Sequence, residues 1–374
     1  MRIDEIDKAL KVERAADLSD GVYLDVRNDP FDVYGLYDYK NQPSFCRMPE
    51  EVAQETWKLT TTGITDLMWH TAGGRVRFTT DSPYVAIRCK MKSITFMPHM
   101  PLNGMCGFDL YETTGGRDRY VNVFSVPFNR SQEEIGKIAI CPDHGYSSRI
   151  WVGETGKMRS FTVHFPLYNG VESLEIGLHK DASVDHGAPY EDVAPVVFYG
   201  SSITQGGCAS RPGNAYENIY SAFRNINHIN LGFSGSACGE VTMANYIASL
   251  DMSVFVMDYD YNAANPWYLE QTHKPFYDVI RKAHPELPII MISRCTGPDR
   301  GDNLRRREII YRSYKAAVEA GDPNVYFLDG DPFFAGKYRG VYTVDGVHPN
   351  DAGFLRMAEI IGSLIDDIRA NKAR

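Results

Sequence analysis

Cysteine is scarce and unpatterned in this chain. Seven residues (Cys46, Cys89, Cys106, Cys141, Cys208, Cys238 and Cys295) make an odd number, and no two stand at CxxC spacing. That argues against a disulfide framework and a structural zinc site, and points to buried, reduced thiols. None of the ten histidines pairs as HxH or HExxH, so neither a metal nor an organic cofactor is expected. No stretch approaches the roughly 20 apolar residues that span a bilayer. The opening MRIDEIDKALKVERAADL alternates charged and apolar side chains instead of carrying an apolar core behind a basic start. No secretory signal is read there, and a cytoplasmic location is expected. In that compartment the Asn129-Arg130-Ser131 sequon has no meaning. Positive charge is also short: 39 basic against 48 acidic residues give −9. That balance argues against the basic stripe of a phosphate-backbone binder, though one local basic pocket stays open. Neither nucleic acid nor membrane is expected as a partner, while self-association stays open.

What the chain does have is ordinary globular composition, 43 % hydrophobic and 23 % charged, over 374 residues. That length suits two domains or one large one. Periodicity divides it. From about Gly63 to Leu178 short runs alternate apolar and polar residues, as in Tyr84-Val85-Ala86-Ile87-Arg88 and Ser160-Phe161-Thr162-Val163-His164-Phe165. Turn residues separate them at Gly73-Gly74, Asp81-Ser82-Pro83, Gly115-Gly116 and Asn169-Gly170. This predicts an antiparallel sandwich or jelly roll. The first 60 residues read as a lead-in arm with a short helix around Pro49–Trp57. After a loop from Lys180 to Pro195, continuous apolar runs at 195–199, 228–231, 253–257, 288–292 and 325–328 alternate with helical stretches. The helices are expected at about 216–225, 241–250, 275–284, 304–320 and from 352 onward. Five buried strands alternating with amphipathic helices predict a doubly wound, flavodoxin-like parallel sheet, which binds ligands at the strands' carboxyl ends. The expected domains are 1–187, arm plus sandwich, and 188–374, the α/β domain.

The first parallel strand runs into Gly200-Ser201-Ser202-Ile203-Thr204-Gln205-Gly206. A serine there sits at a helix start on the sheet's carboxyl edge, where backbone N–H groups can stabilise an oxyanion. The same residues also fit an ordinary serine cap. The segment is not a G-x-S-x-G elbow, because Thr204 stands where glycine is needed. A nucleophilic serine needs a base and the base an orienting acid. Val344-Asp345-Gly346-Val347-His348-Pro349-Asn350 offers both, three residues apart, in a turn leaving the fifth strand region. Taken alone, that turn also fits an Asp-rich loop with a solvent-facing histidine.

Together the two segments resemble the SGNH/GDSL hydrolase superfamily, from Pro195 to the C-terminus. Its first block reads G-D-S-I-T-x-G and its last D-x-x-H-P-N, matched here at 200–206 and 345–350 with the spacing kept. The resemblance implies Ser202 as nucleophile, His348 as general base and Asp345 as its orienter. It also implies that Asn230-Leu231-Gly232-Phe233-Ser234-Gly235 is the N-x-G-x-x-G block, with the Gly235 N–H as an oxyanion donor beside that of Ser202. Two departures stand out. Ser201 replaces the usual Asp, and no G-x-N-D block follows the third strand. In Asp258-Tyr259-Asp260-Tyr261-Asn262, Asn262 is the candidate side-chain donor, with Asn265 the runner-up.

In the first half, Gly107-Phe108-Asp109-Leu110-Tyr111 resembles the G-x-D-L-Y signature of a β-domain fused to one SGNH subfamily. The resemblance implies a serine esterase or acylhydrolase. A short acyl ester of a sugar or oligosaccharide is the favoured substrate, because related two-domain proteins include carbohydrate esterases. A lysophospholipase, a thioesterase and a non-catalytic carbohydrate-binding protein are the alternatives. Arg294 or Arg300, in the charged loop after the fourth strand, is a candidate for holding a polar substrate. Arg305, Arg306 and Arg307 read as a solvated helix face. Trp69 and Trp267 could stack on sugar rings, though packing explains most aromatics.

Overall fold

The structure is a computed structural model that describes residues 18–92, 94–127, 145–153, 156–191, 193–295 and 301–372. Cys141, the 129–131 sequon and Arg300 lie outside the described residues. The six described cysteines are free and buried. No helix among the described residues is long and apolar enough to cross a membrane.

The alternating text of the first half forms two antiparallel sheets packed on a shared core. One runs β1 (Gly21–Asp25), β9 (Val171–His179), β4 (Tyr84–Met91), β7 (Gly145–Trp151). The other runs β10 (Val184–His186), β3 (Arg75–Thr80), β8 (Arg159–His164), β5 (Phe108–Thr114), β6 (Arg117–Phe124), with β2 (Asp32–Tyr34) also paired to β3. Val85, Ile87 and Cys89 of β4 face Val76 and Phe78 of β3 within one core, as period-2 alternation requires.

The outer face of the second sheet departs from a simple polar-out pattern. Arg75 and Arg77 are fully buried there because that face meets the second half of the chain. Arg75 donates to Asn227 Oδ1 at 2.6 Å, and Arg77 to Asn225 Oδ1 at 3.0 Å. A buried guanidinium needs such partners, since an unpaired buried charge is costly.

The second half is a five-stranded parallel sheet of β11 (Val196–Gly200), β12 (His228–Gly232), β13 (Val254–Asp258), β14 (Ile289–Ile292) and β15 (Val325–Leu328). Its order, β12-β11-β13-β14-β15, is the flavodoxin-like 2-1-3-4-5. Side chains of β11 sort by parity. Val196 and Phe198 join the sandwich core and residues of the helices Tyr216–Arg224 and Asp351–Lys372. Val197 and Tyr199 join the helices Val241–Ala248, Pro266–Ala283 and Asn303–Glu319.

Two expectations need correction. The helix expected from Pro275 begins at Pro266, capped by Asn265, and Pro275 lies inside it. Proline favours a first helical position, but Pro266 holds that place. The apolar face Leu269, Phe276, Tyr277 and Ile280 runs straight through the second proline. The lead-in arm is not peripheral either. Its Gly21–Asp25 is an edge strand, and its Cys46, Met48 and Ala53 join the second core against the parallel sheet, beside Ile64 and Met68 that follow the arm.

Candidate active site

β11 delivers the chain to Ser201, whose extended backbone and Oγ cap a single helical turn, Ser202–Gln205, by accepting the Ile203 N–H at 3.2 Å. The serine that departs from the Asp of the motif therefore does an aspartate's capping work. One turn carries little macrodipole, so what this position offers a developing anion is its N–H groups. Ser202 Oγ lies 2.9 Å from His348 Nε2.

His348 and Asp345 stand on a loop that closes on itself. Thr343 bridges Pro349, the Val344 N–H donates to His348 O at 2.9 Å, and the Asn350 N–H to Tyr342 O at 3.0 Å. Asp345 Oδ1 accepts the N–H groups of Val347 and His348 at 2.9 and 2.8 Å, while Oδ2 lies 2.7 Å from His348 Nδ1. Partial burial would raise the Asp345 pKa. The hydrogen bonds from the His348 ring and the two backbone amides outweigh it and hold the carboxyl down at about 2. An ionised Asp345 fixes the tautomer with the proton on Nδ1 and leaves Nε2 as an acceptor toward Ser202. Asn350 Oδ1 then caps the last helix through Ala352 and Gly353.

The Gly235 loop is tied to the serine turn. The Phe233 N–H donates to Gly200 O at 2.9 Å, and the Ser234 N–H to Gln205 Oε1 at 2.9 Å. Gly235 has φ +66°, a left-handed conformation that disfavours any other residue, and a Cβ built there meets nothing within 4 Å. Glycine is thus required by backbone conformation, with open space beside it, rather than by a close protein contact. Its N–H has no acceptor among the described residues.

Asn262 ends the 3-10 turn after β13 and donates from Nδ2 to Phe233 O at 2.9 Å. It therefore lies against the same loop, with a second amide hydrogen to spare. Asn265, the alternative donor, caps the next helix through its Oδ1, which accepts the Tyr268 N–H at 2.9 Å and leaves its amide N–H groups out of that bond.

Arg294 does not stand free for a substrate. It pairs with Asp260 at 3.3 Å, donates to Asp260 O at 3.1 Å and Asn303 Oδ1 at 3.2 Å, and lies over the Tyr261 ring. The buried Asp260 carboxylate is the reason, and it also draws in Arg306 at 3.1 Å. Arg306 is consequently buried instead of solvated, while Arg307 pairs with Asp329 at the surface. Both Arg294 and Arg306 brace the turn that carries Asn262.

Several contributors come from the first half and were not expected from the sequence. The Tyr168 hydroxyl donates to Ser202 O at 3.0 Å. Gln205 Nε2 donates to Leu167 O at 3.1 Å and to His70 Nδ1 at 3.0 Å. Burial, helped by the Arg47 charge, pushes His70 down to about 3 and keeps it a neutral acceptor. Arg47, fully buried, donates to Gly232 O at 2.5 Å and Leu67 O at 2.7 Å, and stacks on Phe233. The His99 ring lies 5.7 Å from that of His348. Gln205 lies in the Gly200–Gly206 block, and Leu167 and Tyr168 lie in the Phe165–Val171 stretch that fits the last strands of the β-domain, whereas no sequence signal marks Arg47, His70 or His99.

Among the described residues, His99, Cys208 and His348 bring one metal-donor atom each within 4.8 Å of one another. His348 is already engaged by Ser202 and Asp345, so an ion there would compete with the serine. Burial, then the Asp345 charge, pushes the Cys208 thiol up to about 12, which leaves it a poor nucleophile beside Ser202. Trp69 has Lys92 over its ring, whereas Trp267 is 64 % exposed at the start of its helix.

Residues 193–366 match the GDSL-like lipase/acylhydrolase family, and residues 21–184 match the GxDLY domain, the N-terminus of SGNH-hydrolase-type esterases. No curated protein matches the sequence. Among solved structures, a candidate GDSL-like lipase from Bacteroides ovatus is 27 % identical. That match covers 94 % of this chain and 98 % of that one at a TM-score of 0.78. A salicylyl-acyltransferase from a tetracycline biosynthetic pathway is 17 % identical, covering 93 % and 98 % at 0.72. An acetyl xylan esterase from the rumen bacterium Butyrivibrio proteoclasticus is 13 % identical, covering 94 % and 99 % at 0.56. The last two likenesses speak for the fold, which all three share along nearly the whole chain.

Proposed function

Because the chain belongs to the GDSL-like lipase/acylhydrolase family, joined to its GxDLY partner domain, and is a serine ester hydrolase, we propose that Ser202, His348 and Asp345 are its catalytic triad. The observation that carries this reading is the continuous relay of Ser202 Oγ, His348 Nε2, His348 Nδ1 and Asp345 Oδ2, at 2.9 and 2.7 Å. His348 takes the serine proton as Oγ attacks the ester carbonyl. The oxyanion rests on the Ser202 and Gly235 N–H groups and the spare amide hydrogen of Asn262. The imidazolium then protonates the departing alcohol, and a water activated by the same Nε2 releases the acid and restores the serine.

The substrate we favour is a short acyl, mainly acetyl, ester of a carbohydrate. Its support is the carbohydrate esterases among proteins of this two-domain fold, together with Trp267, exposed at the start of the helix that follows the Asn262 turn and suited to stack on a sugar ring.

A fluorophosphonate should label the wild type and not Ser202→Ala, and Ser202→Ala should lose at least about 10⁴-fold in kcat. Labelling of the variant, or an unlabelled but folded wild type, removes the serine mechanism. A panel of acetylated sugars, short aryl esters, thioesters and lysophospholipids tests the substrate. Turnover confined to long acyl chains or thioesters overturns the sugar-ester reading.

A further inference from the structure

The residues of the Gly107–Tyr111 signature have split duties. Phe108 and Leu110 fill the sandwich core. Asp109 and Tyr111 alternate to the other face of β5 and meet the loop that descends from the serine turn. Asp109 is fully buried and accepts three hydrogen bonds. Its Oδ1 takes one from His164 Nδ1 at 3.0 Å; its Oδ2 takes those of Arg211 Nη1 at 2.8 Å and the Gly213 N–H at 2.9 Å. The Tyr111 hydroxyl also accepts from Arg211, and the guanidinium lies 3.8 Å over the Tyr120 ring. Gly213 passes so close to Tyr111 that a Cβ there would meet its hydroxyl at 2.2 Å.

The clamped loop connects both halves of the triad. At its start, the Gly207 N–H donates to Ser202 O at 2.8 Å. In its middle, Ser210 holds Asp351 twice, N to Oδ1 at 2.9 Å and Oγ to Oδ2 at 2.5 Å. Asp351 is the first residue of the last helix, three positions after His348.

We infer that Asp109 is a positioning residue for the reaction: by fixing Arg211 and Gly213 it holds the loop 206–214, whose Ser210–Asp351 contact sets His348 against Ser202. The β-domain is then part of the catalytic apparatus through its own signature motif. The inference rests on the Ser202–His348 mechanism proposed above. A shift of about an ångström in a positioned catalytic group can cost on the order of 100-fold in rate.

The test is kcat, KM and the fluorophosphonate labelling rate for Asp109→Asn, Arg211→Gln and Asp351→Asn in the full chain, read well below each melting temperature. Each variant should lose about 10- to 100-fold in kcat and in labelling rate, with KM within about twofold. The Asp109→Asn/Arg211→Gln double variant should be no worse than the poorer single variant, since both break one clamp. Arg211→Lys should recover part of the loss. A folded Asp109→Asn with kcat and labelling within twofold of wild type overturns the inference, whatever its melting temperature. Should Asp109→Asn not fold, Asp351→Asn, which does not touch Asp109, decides: a wild-type rate there breaks the connection. If Ser202→Ala remains active, the mechanism has failed. If Ser202→Ala is dead while the clamp variants are unimpaired, the clamp alone has failed.

Discussion

The two sides of the proposed triad, the His348–Asp345 loop and the Ser202 turn, are held by different means. His348 and Asp345 stand three residues apart in a loop whose ties run between Tyr342 and Gly353. The serine turn and the Gly235 loop depend on partners far away in the chain. Arg47 reaches the carbonyl of Gly232, 185 residues on; Gln205 leans on Leu167 and His70; Tyr168 holds the carbonyl of Ser202. The first arrangement is closed by short-range ties, with the Ser210–Asp351 contact as its long-range anchor, and it is partly exposed, with Asp345 40 % and His348 23 % accessible. The second leaves Ser202 partly buried and Gly235 exposed but rests on buried partners, most of them from the first half of the chain. A local device can fail without disturbing the fold, whereas a buried assembly couples activity to stability.

The largest expected effect lies on the local side. Asp345→Asn keeps Oδ1 for the two backbone amides but turns an amide N–H toward His348 Nδ1, which favours the wrong tautomer. We expect kcat to fall roughly 10³–10⁴-fold with little change in thermal stability. Steady-state kinetics beside a melting curve checks both halves of that statement. A variant that unfolds, or one within tenfold of wild-type activity, breaks the picture of a loop closed mainly by short-range ties.

The same difference explains what the sequence made legible. A glycine ending a strand and a three-residue Asp–His spacing are local signals that singled out two segments, and the resemblance of both together suggested the proposed triad; the alternation of apolar strands with helices made the flavodoxin-like sheet legible. Arg294, Arg306 and Arg47 could not. Arg294 reads as a candidate substrate residue, Arg306 as a solvated charge and Arg47 carries no signal, until the fold delivers Asp260 to the first two and the backbone carbonyls of Gly232 and Leu67 to the third. The helix at Pro266 was masked by a second proline that only tertiary packing makes tolerable. Arg75 and Arg77 occupy outward positions of a strand and are buried where the second half of the chain and Tyr190 meet that face, Arg77 also pairing with Asp118 of its own sheet. The G-x-D-L-Y motif was visible as a string, but its contact with Arg211 and Gly213 is 100 residues away or more.

A smaller effect, of a few kcal/mol, is expected on the buried side and should appear as pH dependence. Glu217 is fully buried, accepts from Asn230 Nδ2, and is pushed up by burial to about 8. Between pH 4.5 and about 8 the unfolded chain loses this proton while the fold keeps it. This group's contribution therefore makes stability fall as pH rises through that window, by roughly 1.4 kcal/mol per pH unit at most. Burial keeps His70 and His273 down at about 3, which acts the opposite way: stability is lost as pH falls below their unfolded value of 6.5. The informative quantity is the difference between wild type and Glu217→Gln in urea unfolding at pH 5, 6.5 and 8. The variant should gain on the wild type with rising pH. Parallel curves would show that Glu217 is charged in the fold.

The smallest effect should come from Tyr168→Phe, and it measures how much the β-domain contributes through one hydrogen bond. The lost hydroxyl donates to Ser202 O at 3.0 Å, but that carbonyl also accepts the Gly207 N–H at 2.8 Å. Removing one donor from an oxygen that stays satisfied by backbone N–H groups costs about the net value of a single bond, ~1 kcal/mol. The ring also keeps its packing in the core it shares with Leu167 and Phe165. The expectation is a loss in kcat below tenfold with KM unchanged, read on the short ester that the wild type turns over best. A loss above 100-fold would mean that the carbonyl contact fixes the serine turn itself, and that the nucleophile side has far less redundancy than its many partners suggest.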